Sequence, residues 1–114
     1  MATVTAVARR LDTIKQRAGI RSREVAQLLN TTPETVSRWQ TGKAEPQPGR
    51  LEQLLTLEWL VEELAEFFDP AEARLWLFAP HRLLGGDTPA SRIQNGQLAD
   101  VLVLVEQLKT GAVV

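Results

Sequence analysis

The side chains best equipped for chemistry lie between Ser22 and Gly42. Glu34, Ser37 and Arg38 follow Thr32-Pro33 at a spacing that puts them on one side of a helix. Their chemistry is hydrogen-bonded recognition rather than bond breaking. An arginine fork matches O6 and N7 of guanine, and a glutamate accepts from the cytosine amino group. Ser22, Arg23 and Lys43 fall at helix ends and in the following loop, where phosphate contacts fix register. Thr32, Glu34, Ser37 and Arg38 are therefore expected at a major groove, with Ser22, Arg23 and Lys43 on the backbone. The bland alternative is a helical hairpin that merely packs, its charges solvated.

Other chemistries find no constellation. The sequence has no cysteine and one histidine, His81, so thiolate sites, zinc sites and histidine-based triads cannot be assembled from the usual parts. His81 follows a proline and reads as a surface or capping residue. Glu58, Glu62 and Glu66 stack at i, i+4, but carboxylate metal sites normally recruit histidine or a second carboxylate helix, so a solvated acidic face is expected. Gly85-Gly86 lacks the Lys-Ser/Thr of a phosphate loop. No catalytic residue, no metal and no cofactor is expected, and the chain is not expected to be an enzyme.

The elements that must position these residues are helical. Val4, Val7, Leu11 and Ile14 make one apolar stripe, and Gly19 ends that helix. Ser22 is expected to cap a short helix through Leu29, with Asn30 in the turn. Thr32-Pro33 reads as N-cap and first helical position of a helix that stops at Gly42. Pro46 and Pro48 precede a long helix, about residues 49–68. Its leucines and aromatics exceed what one neighbour can cover, which predicts a dimer contact at Leu57, Trp59, Leu60 and Leu64. Asp69-Pro70-Ala71-Glu72 is a capping-box start, Pro80 a breaker, and Thr88-Pro89 opens a further helix. Val101 to Val105 suits a buried strand by composition, but with no second strand to pair with, a helix is expected.

At 114 residues and 12.7 kDa, one domain or two small ones sharing an interface are expected. Apolar runs such as Val101 to Val105 are far shorter than the ~18 residues of a membrane span. With no secretory-type leader at the N-terminus, a soluble, cytoplasmic protein without a membrane partner is expected. The net charge of −1 conceals a division. Residues 1–50 carry nine cations against four anions, a net +5, while residues 51–114 carry four against ten, a net −6. Such a chain suits nucleic acid on one side and protein on the other.

The Ser22–Gly42 stretch resembles the helix-turn-helix of the Xre and phage-repressor class, departing from it at Asn30, where glycine is usual, and at Thr31, where an aliphatic is common. The second half is similar to the toxin-binding domain of Xre/MbcA/ParS antitoxins: Trp76-Leu77, Pro80, Leu84, Gly86 and Pro89 are followed by a glycine and an apolar helix ending near Gly111. The resemblance implies an all-α fold with an N-terminal helix-turn-helix region (1–50), a long connecting and dimerisation helix (51–68) and a toxin-binding domain with a C-terminal tail (69–114). It implies an antitoxin that covers the active site of a cognate RES-domain, NAD-degrading toxin and represses its own operon by binding operator DNA. A homodimer or higher oligomer within a toxin-antitoxin complex is expected. The toxin contact is expected at Lys109, Gly111, Ala112, Val113 and Val114, the tail entering a pocket with its carboxylate towards a cationic site. The rival readings are a dimeric helix-turn-helix transcription factor without a toxin partner and a helical protein-protein adaptor that does not bind DNA.

Overall fold

The computed structural model describes residues 5–111, which form seven α-helices and one 3-10 turn, with no strand among the described residues. The helices are α1 (Ala6–Ala18), α2 (Ser22–Leu28), α3 (Pro33–Thr41), α4 (Pro48–Ala65), α5 (Pro70–Phe78), α6 (Pro89–Gln94) and α7 (Leu98–Lys109), with the 3-10 turn at Arg82–Leu84. The Thr5 hydroxyl oxygen accepts from the Ala8 N–H at 3.0 Å to open α1, and Gly19, at φ 63°, closes it. Leu11 and Ile14 of the expected stripe are buried and Val7 is half-buried. Val4 lies outside the described residues.

At α2 the expected cap is displaced by one residue. Ser22 is the first helical residue, and Arg21 holds the cap position. Glu24, three positions on, accepts from the Arg21 backbone N–H at 3.2 Å, so the start is secured by the glutamate reaching back and not by a serine hydroxyl. The turn into α3 closes through Asn30 at φ 55°, with Thr31 N–H donating to Ala26 C=O at 2.9 Å and Asn30 N–H to Gln27 C=O at 3.3 Å. This pair of bonds around a left-handed residue satisfies the Ala26 and Gln27 carbonyls at the end of the short helix.

The wide apolar surface of α4 is answered inside the chain. Helices α1, α5 and α7 all pack against it, and Leu54, Leu57, Leu60, Val61 and Leu64 are buried. Leu57, Leu60 and Leu64 are thus core residues and not the dimer contact expected of them. The count of leucines was right, but three neighbours cover them. Only Trp59 of that set is outside, 43% exposed. The helix also ends earlier than expected, at Ala65.

The C-terminal half follows its local signals. Asp69 and Glu72 form the reciprocal box, the Asp69 side chain accepting from Glu72 N–H at 2.8 Å and Glu72 from Asp69 N–H at 3.0 Å. Thr88 caps α6 by accepting from Ser91 N–H at 3.0 Å. The Val101–Val105 run is helical: Val101, Leu104 and Val105 are buried while Val103 is 58% exposed, the 3-4 alternation of a helix face. One continuous apolar cluster joins residues from α1 through α7, so residues 5–50, 51–68 and 69–111 share a core. No helix of the described residues is long and apolar enough to cross a membrane.

Candidate functional site

The α2–α3 pair presents one polar face. Buried Val36 and Trp39 anchor α3 beside the buried Val25, Ala26 and Leu29 of the preceding helix and turn. Glu34, Ser37, Arg38 and Thr41 fall at i, i+3, i+4 and i+7 on the opposite side, and all four are exposed. The structure therefore brings Glu34, Ser37 and Arg38 together on the face expected to read bases. Thr32 is exposed, but its hydroxyl is engaged: Oγ1 accepts from Thr35 N–H at 3.1 Å and lies 2.8 Å from Thr35 Oγ1. It sets the start of α3.

Lys43 is held at the far end of the same helix. Gly42, at φ 77°, lets the Lys43 N–H donate to Arg38 C=O at 2.9 Å and its own N–H to Trp39 C=O at 3.3 Å. This pins the lysine backbone one residue past α3 while its side chain stays exposed. Arg23 is exposed on α2, whereas Ser22 is half-buried. No ion pair joins Arg23, Arg38 or Lys43 to another described residue, so their charge is available to an anionic partner.

Three arginines that sequence reasoning passed over have structural roles: Arg74 joins the two halves, Arg92 braces the second, and Arg50 holds the turn at Asn30. Arg74 of α5 forks onto Glu24 of α2, Nη1 to Oε1 at 2.7 Å and Nη2 to Oε2 at 2.5 Å, and also donates to Gly19 C=O at 2.9 Å. That hydrogen-bonded guanidinium lowers the Glu24 carboxyl below its ordinary range, and the carboxylate raises Arg74 in return. Arg50 donates to Asn30 C=O at 3.2 Å, and the Asn30 amide donates to Gln94 C=O at 2.8 Å. Arg92 ties α6 to its neighbours through Asp87 at 3.0 Å, Asp100 at 2.6 Å and Leu84 C=O at 2.8 Å, the two carboxylates raising its pKa. These partners are up to 64 residues apart, and no local pattern announces them. The one available signal was Asn30: a residue larger than glycine in a tight turn has a side chain free to reach something.

The C-terminal contact residues are only partly placed. Lys109 ends α7 with its ammonium 3.3 Å from Glu63 of α4, so that charge is already engaged within the chain. Gly111, at φ 78°, turns the backbone just past the helix. Ala112, Val113 and Val114 lie outside the described residues. Among the described residues of this half, the large apolar side chains most exposed are Leu75 (70%), Val103 (58%) and Leu83 (54%), followed more modestly by Trp59, Phe67, Leu55 and Phe78. His81 packs edge-on to Trp76 at 5.0 Å with Nε2 3.0 Å from Trp76 C=O, a bracing role for the turn.

Comparison with known proteins covers both halves. Residues 6–67 match the helix-turn-helix domain family, and residues 63–109 match the antitoxin Xre/MbcA/ParS C-terminal toxin-binding domain. The mycobacterial cidal antitoxin MbcA of Mycobacterium tuberculosis is 31% identical over 99 residues, 87% of this chain and 88% of that one. A probable mycobacterial cidal antitoxin of the same organism is 30% identical over 96 residues, 84% of this chain and 82% of its own length. Among solved structures, a chain of the M. tuberculosis MbcT-MbcA toxin-antitoxin complex matches with a TM-score of 0.83 at 30% identity, covering 97% of this chain and 100% of that chain.

Proposed function

The chain belongs to the MbcA family of antitoxins, and from that premise we propose that it neutralises a RES-domain, NAD-degrading toxin and represses its own operon. It acts as an inhibitor rather than a catalyst, in the cytoplasm, as a homodimer or higher oligomer within the toxin-antitoxin complex. The observation that carries the toxin half is the match of 97% of the chain, at a TM-score of 0.83, to a chain of a toxin-antitoxin complex. In this reading the C-terminal half docks on the toxin, and the segment from Lys109 through Gly111 to Ala112, Val113 and Val114 covers its active site.

The operator half is supported by the exposed Glu34, Ser37 and Arg38 on α3, flanked by cationic Arg23 and Lys43. Arg38 reads a guanine, Glu34 a cytosine, and Ser22, Arg23 and Lys43 hold phosphates. Two copies meet half-sites about one helical turn, ~34 Å, apart. The test is co-expression with the neighbouring gene, then an assay of NAD consumption. The toxin alone should deplete NAD and the purified complex should not. Failure to form a complex, or full NAD consumption by it, would overturn the toxin assignment. Deleting Ala112 to Val114 should restore NAD consumption while the complex still assembles. Full inhibition by the truncated chain would move the blockade into residues 69–109.

A further inference from the structure

Three helices expose large apolar side chains among the described residues: α7 presents Val103 alone, while α4 and α5 each present two, in different surroundings. On α4, Leu55 and Trp59 are ringed by exposed Glu52, Glu62 and Glu66. Pairing this face with its own copy would bring carboxylates onto carboxylates, which is unfavourable. On α5 the solvent face runs Ala71, Leu75, Phe78, at i, i+4 and i+7, with Leu75 70% exposed. The opposite side of α5 buries Ala73, Trp76 and Leu77, so the helix is apolar nearly all round, a pattern that belongs in an interior. Its ends carry opposite charge: exposed Asp69 and Glu72 at the N-terminal end, exposed Arg82 just beyond the C-terminal end.

We propose that two copies of this chain pair through this face of α5, antiparallel, about a two-fold axis beside Leu75. The arrangement rests on the oligomeric part of the reading above and not on the identity of the toxin. A two-fold contact presents the same patch twice, so the patch must complement itself. Antiparallel alignment does this in three ways. Leu75 meets Leu75 at the axis. Phe78, whose ring is held by the Arg74 guanidinium 5.0 Å from its centroid, lands on the small Ala71 of the other copy. Arg82 of each copy reaches the Asp69–Glu72 end of the other, while the opposed helix dipoles also favour the antiparallel sense. The α4 face offers none of these: Glu52, Glu62 and Glu66 are exposed around its apolar pair, and the cations at the neighbouring carboxylates, Arg10 at Glu58 and Lys109 at Glu63, are already paired within the chain.

The chain contains no cysteine, so one introduced thiol is the sole thiol. Oxidising Leu75→Cys should give a covalent dimer, because the axis brings that position against itself; Trp59→Cys and Val103→Cys should stay uncrosslinked. By sedimentation equilibrium on the full chain, Leu75→Asp should raise the dimer Kd by at least ~30-fold, the scale of a central interface residue, with helical content unchanged. Arg82→Glu should raise it about two- to fivefold. Faster crosslinking at Trp59→Cys, or an undisturbed Leu75→Asp dimer, overturns the α5 assignment. A Leu75→Asp chain that keeps its dimer but loses the co-purified toxin assigns the face to the toxin instead. A wild-type chain that sediments as a monomer, alone and in the complex, defeats the oligomeric reading itself and the α5 dimer with it.

Discussion

The two halves of this chain use their arginines and lysines in opposite ways. In the α2–α3 region Arg23, Arg38 and Lys43 point outward and pair with no described residue, while the apolar side chains Val25, Val36 and Trp39 are buried. In the α5–α7 region Arg74, Arg92 and Lys109 are each engaged by a carboxylate of the same chain, and the side chains left outside include Leu75, Leu83 and Val103. Net charge alone would describe the first half as basic and the second as acidic. The contacts say more: one half offers unpaired charge, which suits a polyanion, and the other offers apolar surface with three of its four cations, all but Arg82, already paired, which suits protein. The two surfaces nevertheless stand on one core, so each can be altered without assuming that the other folds separately.

The largest expected effect tests that shared core. Trp39 lies in the first region and Leu77 in the second, and both are buried. Trp39→Ala should lower stability by ~3–5 kcal/mol and Leu77→Ala by ~2–5 kcal/mol. In each variant a single unfolding transition should shift as a whole, by circular dichroism and by calorimetry. Two separated transitions in the Leu77→Ala chain would mean that the halves unfold independently.

The next effect sharpens the charged side of the comparison. Arg38→Ala should cost ~1–3 kcal/mol of operator affinity at one guanine-containing position and relax specificity there. Lys43→Ala should weaken all duplex sequences alike and reduce the slope of log K against log salt by ~0.9. Equal losses on operator and random DNA for Arg38→Ala would demote it to a phosphate contact.

Much of this architecture was legible because its signals are local. Thr32-Pro33, the Asp69–Glu72 box and Thr88-Pro89 each name a helix start through atoms three residues apart, and all three starts lie where expected. Ser22 misled because two capping devices sit side by side, and the glutamate of Glu24 outranks the serine hydroxyl. The excess of leucines on α4 was legible as a quantity. How many neighbours would meet it was not, since that depends on α1, α5 and α7 arriving from distant parts of the chain. The polar face of α3 was legible for the same reason as its caps: Glu34, Ser37 and Arg38 are set by helical period alone. The seam of Arg74 with Glu24 and of Asn30 with Gln94 was not, because fifty or more residues separate the partners.

That seam makes a pH-dependent prediction. Glu24 has its pKa lowered by the Arg74 guanidinium, so the folded state holds its proton less tightly than the unfolded chain does. The stabilisation is therefore present above the unfolded carboxylate value and is lost as pH falls through the lowered, folded one. The Arg74 side chain is 43% exposed, so solvent screens the pair and the effect should be about 1 kcal/mol or less. Glu24→Gln should flatten this component of the acid limb in urea titrations at successive pH values. An unchanged pH profile would leave the pair without a role in joining the halves.

The smallest expected effect concerns Asn30, where the two regions meet in a turn. Its φ of 55° is one that glycine adopts freely, asparagine tolerates and alanine resists. Its amide also donates to Gln94 C=O at 2.8 Å, a contact exposed enough to be worth ~0.5–1 kcal/mol. Asn30→Gly loses that bond but relieves the backbone, two changes of similar size and opposite sign, so stability should move by less than ~0.5 kcal/mol. Asn30→Ala loses the bond and keeps the strain, and should cost ~1–2 kcal/mol. The pair of variants separates conformation from contact. If glycine costs as much as alanine, the amide contact dominates; if glycine stabilises clearly, the contact contributes little. In the expected case, hydrogen exchange at Gln94 and the end of α6 should quicken in both variants, even though only alanine shifts the unfolding midpoint, because the tether to the second half is cut in each.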